Sequence, residues 1–321
     1  MTVQPSVLVL AGGPDREREV SLDSARAIAD ALAAQGFEVH HRVIDRPTLA
    51  ELASHPGDVV FPALHGPWGE GGPLQELLEQ LGRPFVGSGA AAAAIAMDKL
   101  ATGKLAGQLP GVLVPSQALL DPSMTEPPAH LPLVIKPVAD GSSVGVHVCR
   151  DAESWTRAHA AASRDSSTRF MVEQFIAGRE LTVGLLDGRA MPIVEIVPAS
   201  GVYDYDAKYQ RSDTRYVVKP DLPEGLAGLL AAASEQLSRL IGVRHLARVD
   251  FIIDDRQRPW LLELNTMPGF TSHSLLPMAA EAVGIDFATL CARLVELAAR
   301  DDAPRSTSHE RSAARPRSIN P

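Results

Sequence analysis

The stretch 245–274 constrains this chain more than any other, because it reads as one β-hairpin with core on one face and acids on the other. In HLARVDFII (245–253) and again over 260–265, apolar and polar residues alternate, the period-two signature of half-buried strands. The turn between them, around 255–258, is short and polar. A register symmetric about that turn sets Asp250 opposite Glu263 and Arg248 opposite Asn265 on one face. Val249, Phe251, Ile253, Trp260, Leu262 and Leu264 then point the other way.

Two carboxylates side by side repel by roughly 4 kcal/mol at about 4 Å in an effective dielectric of about 20, so the pair calls for a cation or a proton. The amide of Asn265 beside them favours a hard cation. A few oxygen ligands suit Mg²⁺, which keeps waters and takes further ligands from substrate phosphates. The alternative is a solvated strand face with an Arg/Asp surface pair. Four such residues on one face, followed by the Pro268-Gly269 turn and a Ser/His/Thr cluster, favour the metal site.

At 321 residues the chain can hold two or three lobes and bury a large core. A net charge of −9 argues against nucleic acid as a partner. The apolar run Val7 to Leu10 has no basic flank and no small-residue cleavage site, so neither a signal peptide nor a membrane span is expected. Cys149 and Cys291 lack metal-type or redox-type spacing and read as the reduced cysteines of a cytosolic protein.

The opening, SVLVLAGG and then DREREVSLDSARAIADALAAQG, reads as strand, glycine turn and helix. FEVHHRVI and DVVFPAL add strands with a helix between them, which implies an α/β lobe with a parallel sheet. The turn Gly12-Gly13-Pro14 does not match G-x-G-x-x-G, so a nicotinamide oxidoreductase is disfavoured. Glu17 and Glu19 stand where a helix begins, and the helix dipole alone would explain them. HGPWGEGGP (65–73) is too glycine-rich for a regular element and reads as a mobile or ligand-facing loop; His65 either caps the strand end or meets substrate.

A boundary falls near 97, before a central lobe. There Leu131 to Lys136 is a strand, and ADGSSVG (139–145) follows it, either an ordinary turn or a set of backbone N–H groups and hydroxyls for a polyphosphate. Glu173 ends an apolar strand and Glu180 lies beyond the next turn; each reads as a nucleotide contact or as an exposed strand end. All four tyrosines fall within 203–216, in a long polar stretch that reads as a lid. A helix over about 223–240 leads to the hairpin, and another over about 287–299 precedes a Ser-, Pro- and Arg-rich tail read as disordered. The division is 1–97, 98–186, 187–300 and a tail 301–321.

Together, EREVS (17–21), HGPWGE (65–70), GSG (87–89) with MDK (97–99), KP (136–137) with GSSVG (141–145), YDYDAKY (203–209) and ELNTMPGFTSHS (263–274) closely resemble the D-alanine:D-alanine ligase family of the ATP-grasp superfamily, in its order and approximate spacing. The resemblance covers almost everything from 7 to 299. It implies a three-lobed ATP-grasp fold, α/β with α+β lobes, that makes D-alanyl-D-alanine for peptidoglycan in the cytoplasm as a homodimer. It further implies that Lys99, Lys136, Ser143, Glu173 and Glu180 bind ATP, and that Asp250, Glu263 and Asn265 hold two Mg²⁺ ions, with Mn²⁺ as a substitute. Glu17 would hold the first D-alanine's ammonium and form a lid-closing set with Ser142 and Tyr209. Lys208 would reach the transferred phosphate, His65 would contact substrate, and Ser274 with Leu275 would bind the second carboxylate.

In that family ATP phosphorylates one carboxylate, and the second D-alanine's amine attacks the acyl phosphate. Arg248 and the Gly269 N–H suit the resulting oxyanion, a contact worth roughly 3 kcal/mol per donor. Two departures stand out: Gly71 in place of an aspartate, and Asp140 in place of a glutamate. Rival readings are a ligase using D-serine or D-lactate as second substrate, and a nucleotide-binding interaction protein without catalysis.

Overall fold

A computed structural model of the protein describes residues 4–141, 144–198 and 214–301. The first lobe comprises β1 (Val7–Gly12), α1 (Arg18–Ala34), β2 (Val39–Ile44), α2 (Leu49–Ser54), β3 (Val59–Pro62), α3 (Gly66–Gly69) and α4 (Pro73–Leu81). Its sheet is parallel in the order β2-β1-β3. β1 is buried along its whole length because helices cover both faces: Val7 and Val9 pack with Ile28 and Leu32, while Leu8 and Leu10 pack with Leu52, Leu74 and Leu78. That is why it is a continuous apolar run rather than an alternating one.

α5 (Ala90–Met97) and α6 (Lys99–Ala106) lead to β4 (Gln117–Leu119), β5 (Leu133–Pro137), β6 (His147–Cys149), α7 (Ala152–Arg164) and β7 (Phe170–Gln174). These strands form an antiparallel sheet, β4-β7-β5-β6, with Trp155 of α7 buried beneath it. The Asp151 carboxylate starts α7 by accepting the Ser154 N–H at 2.8 Å.

The third sheet is antiparallel and built from β8 (Arg179–Leu186), β9 (Arg189–Ala190), β10 (Val194–Val197), β11 (Arg215–Val218), β12 (Leu246–Ile253) and β13 (Pro259–Asn265). Its order is β11-β10-β8-β12-β13, with β9 on β8. α8 (Leu226–Ile241), α9 (Leu275–Glu281) and α10 (Phe287–Asp301) complete the described chain. Among the described residues no helix is long and apolar enough to cross a membrane.

The parallel first sheet and the helices expected at the start, middle and end of the chain are present. Four expectations change. β8, counted with the central lobe when that was drawn to 186, is hydrogen-bonded into the third sheet along its length against β12. α10 is not confined to the third lobe; its Leu290, Leu294 and Ala298 share one core with Ile28, Leu32 and Phe61 of the first lobe and with Leu246 and Leu276 of the third. The glycine-rich run after β3 holds a helical turn, because the Asp15 carboxylate accepts the Trp68 and Gly69 N–H groups at 2.9 and 3.0 Å. Tyr216 lies in β11, paired with Ile196, rather than in a loop. Residues 203–213 of the expected lid and the tail from 302 lie outside the described residues.

Candidate active site

The hairpin places its acids as expected. Asp250 pairs with Glu263 and Arg248 with Asn265. Beyond Asp250 a β-bulge breaks the symmetric register, so Phe251 faces Leu261 and Ile252 faces Trp260. One extra residue reverses the alternation of everything after it. Leu261, 1% exposed, therefore takes the core position, while Leu262 turns to the cleft and Trp260 to the same side as Ile252.

β8 lies on the other side of β12, with Thr182 opposite Asp250 and Glu180 opposite Ile252. The Thr182 hydroxyl donates to Asp250 Oδ1 at 2.6 Å. Arg248 adds a two-pronged bond, Nε to Oδ1 at 2.9 Å and Nη2 to Oδ2 at 2.8 Å. Lys99, the first residue of α6 behind the Asp98 cap, reaches Glu263 Oε2 at 3.2 Å and the Asp140 carbonyl at 2.6 Å. Each acid of the pair thus has a cation beside it within the fold, as the repulsion between them calls for.

Lys136 on β5 and Glu173 on β7 are diagonal neighbours across the strands and meet at 2.6 Å, both buried. With Lys99, Glu180, Asp250 and Glu263 they line a cleft of about 380 Å³ between the second and third sheets. Val134, Ile176, Ile252 and Leu262 supply its apolar wall. One end is cationic and acidic, and the other suits a flat apolar group. The chain crosses between the two sheets at Gly178, where a Cβ would collide with the Ile253 carbonyl oxygen.

Beneath the charged end, Glu70, Lys99, Asp140, Gly141, Glu263, Asn265 and Thr266 enclose a smaller cavity. Glu17, the residue before α1, is nine-tenths buried and so close to Gly141 that a Cβ there would sit 2.8 Å from its Oε2. His65 is also buried. Its Nδ1 lies 3.0 Å from the Met267 carbonyl and so must donate, which leaves Nε2 without a partner among the described residues. Burial pushes its pKa down to about 4, and the Arg248 charge adds to this. Glu70 accepts the Met267 N–H at 3.1 Å and faces the Gly66 N–H at 3.4 Å. Burial first, and the charge of Glu17 second, hold its pKa well above the ordinary carboxylate range.

Gly269 follows this loop, and Phe270 N–H is fixed to the Ser24 hydroxyl at 3.2 Å. Ser274, half-buried, accepts the Thr271 N–H at 3.0 Å and immediately precedes α9. The Leu275 side chain packs in the core, so only its backbone faces outward chemistry. Ser142, Ser143, Lys208 and Tyr209 lie outside the described residues.

Both departures have physical reasons. A side chain at 71 would run into the Pro67 carbonyl oxygen, so this loop takes glycine. At 140 the contact to Lys99 is made by the backbone carbonyl, which aspartate and glutamate share. Sequence reasoning gave Glu70 and Asp15 no role, although Glu70 stands inside the HGPWGE motif. Thr182 had no signal at all, since only the β8–β12 pairing brings it to Asp250.

Among the described residues no group of three or more His, Cys, Asp or Glu side chains forms a metal cage. The available donor set is two carboxylates and an amide, all hard oxygens, and it fits a Mg²⁺ that shares its shell with phosphates and water.

Two family descriptions match this chain: the D-ala D-ala ligase N-terminus over residues 46–88 and the D-ala D-ala ligase C-terminus over 122–296. A D-alanine--D-alanine ligase of Bordetella petrii is 42% identical over 299 residues, 91% of each chain. The D-alanine--D-alanine ligase of Bacillus anthracis complexed with ATP superposes with a TM-score of 0.79 at 28% identity, covering 93% of this chain and 98% of that one. A D-Ala:D-Ser ligase of Enterococcus faecalis gives 0.76 at 25% identity, over 92% and 100%. Motif order, an ATP-grasp arrangement of two antiparallel sheets around a charged cleft, and this extent of similarity lead to one conclusion: the chain belongs to the D-alanine–D-alanine ligase family.

Proposed function

We propose that the protein joins two D-alanines into D-alanyl-D-alanine at the expense of ATP, through a D-alanyl phosphate, and so supplies a peptidoglycan precursor. The observation that carries this is the cleft whose charged end brings Lys99, Asp250 and Glu263 together. ATP lies with its base against Ile176, Ile252 and Leu262, its ribose at Glu180 and its phosphates on Lys99, Lys136 and Ser143, while Glu173 holds Lys136 in place. Asp250, Glu263 and Asn265 would hold two Mg²⁺ ions, whose chemistry would be to neutralise charge on the phosphates.

Glu17 takes the ammonium of the first D-alanine, with Ser142 and Tyr209 closing over it and His65 alongside. Its carboxylate oxygen attacks the γ-phosphorus, and Lys208 meets the moving phosphoryl group. Ser274 and the Leu275 N–H take the carboxylate of the second D-alanine. Its amine attacks the acyl carbon and phosphate leaves. Arg248 and the Gly269 N–H stabilise the oxyanion in between, for which Arg248 is already anchored on Asp250. The reading includes a homodimer, which sedimentation tests.

The experiment is phosphate release with ATP, Mg²⁺ and D-alanine alone, beside D-alanine with D-lactate or D-serine, and products identified by mass. D-Alanine alone should suffice, and dipeptide should dominate at neutral pH. A depsipeptide or D-alanyl-D-serine as main product would overturn the assignment.

A further inference from the structure

Glu70 is a buried acid that the reaction just described leaves unused. It is 4% exposed and belongs to the first lobe, yet its partner Met267 lies 197 residues further along the chain. Four contacts converge there. Glu70 Oε2 accepts the Met267 N–H at 3.1 Å, and the Glu70 backbone carbonyl faces the Thr266 hydroxyl at 3.5 Å. His65 Nδ1 donates to the Met267 carbonyl at 3.0 Å, and Glu70 Oε1 faces Gly66 N–H at 3.4 Å, which ties the side chain back to its own loop. Both peptide units flanking the Met267 α-carbon are therefore held by residues 65–70.

These are the peptides through which the chain leaves β13 and arrives at Gly269. A lone loop of this kind, Thr-Met-Pro-Gly, has no ladder to hold it, since β13 ends at Asn265. A buried carboxyl with no role in holding anything would be replaced without loss by an apolar group, whereas this one satisfies an N–H that is itself buried.

We propose that Glu70 is a positioning residue for the ligation step: by accepting the Met267 N–H it sets the 266–269 loop, and with it the Gly269 amide that meets the developing oxyanion. The inference rests on the reading of Gly269 as oxyanion donor. Misplacing such a donor by about an ångström is enough to cost on the order of a hundredfold in rate. What the position needs is an acceptor rather than a charge. Glu17, Arg248, Lys99, Asp140 and Glu263 are the charged groups of the surrounding cavity and neighbourhood, and with Glu17 among them a second anion is disfavoured.

The test compares E70Q, which keeps a carbonyl acceptor of the same reach, with E70A, which removes it. Dipeptide formation is measured with D-alanine, ATP and Mg²⁺, and ADP affinity and thermal unfolding are followed in parallel. E70A should lower kcat about thirtyfold or more with the KM for ATP within about twofold, because Glu70 itself does not line the nucleotide cleft. E70Q should recover kcat to within about fivefold of wild type.

Wild-type kcat in E70A, or E70Q as impaired as E70A, overturns the inference. Should E70A not fold, E70Q alone decides, and a loss greater than fivefold rejects the acceptor role. A wild-type chain that turns over no D-alanine removes the assigned reaction and this inference with it. An active wild type beside an equally active E70A removes the inference alone.

Discussion

On the cleft walls, burial is met by pairing. Asp250 has Arg248, Glu263 has Lys99, and Glu173 has Lys136 at 2.6 Å. On the loop beneath, burial weighs against charge: it pushes the His65 pKa down to about 4 and the Glu70 pKa up. The difference follows from what each region handles. Ions that are paired can exchange partners when phosphates arrive, so charge stays available. Groups that only hold backbone do so better without charge, since an ion there would face an unshared desolvation cost.

The sharpest way to break this comparison is on the ionised side. E263Q should lower D-alanine-dependent ADP release about a thousandfold, roughly 4 kcal/mol of barrier, with unchanged circular dichroism. Unchanged turnover would mean that the paired acids are structural. Next comes K136M, which strands Glu173 in the interior. Denaturant unfolding should show a loss of about 3 to 5 kcal/mol, and K136M/E173L should recover most of it.

The neutral side makes a prediction in pH. The His65 pKa falls from 6.5 to about 4 on folding, so its contribution is complete above about pH 6.5 and is lost as pH falls toward 4. The unfolded chain binds the proton first. Stability of the wild type should therefore drop by about 3 kcal/mol more than that of H65N across this window, which urea unfolding at several pH values measures. Parallel slopes would place His65 among ordinary exposed histidines. Glu70 has the opposite sign: its pKa is raised, so its contribution is present below about pH 4.5 and declines as pH rises from there toward its folded pKa. The smallest effect is the control, R157A, which breaks a solvent-exposed pair with Glu153 and should leave the unfolding midpoint where it was.

The hairpin was legible because its polar and apolar residues alternate and its turn is short, which fixes Asp250 against Glu263. The bulge was not, since the extra residue, Leu262 on β13 between the partners of Asp250 and Phe251, leaves no mark on composition while Leu261 takes the core and Leu262 the cleft. β8 reads as part of the central lobe because it follows β7 directly in the chain. The geometry at Gly178 sends it into the other sheet instead. Of the site, residues carried in motifs could be found, whereas Thr182 acquires its place through a strand pairing 68 residues apart in sequence.

The last helix has a consequence for how the protein is made. Leu290, Leu294 and Ala298 fill the interior that Ile28, Leu32 and Phe61 begin. The first lobe is made before α10, so a slot in its core stays open until that helix follows. A chain cut short before α10 would present that apolar seam to solvent, so the first lobe seals only with a helix made long after it.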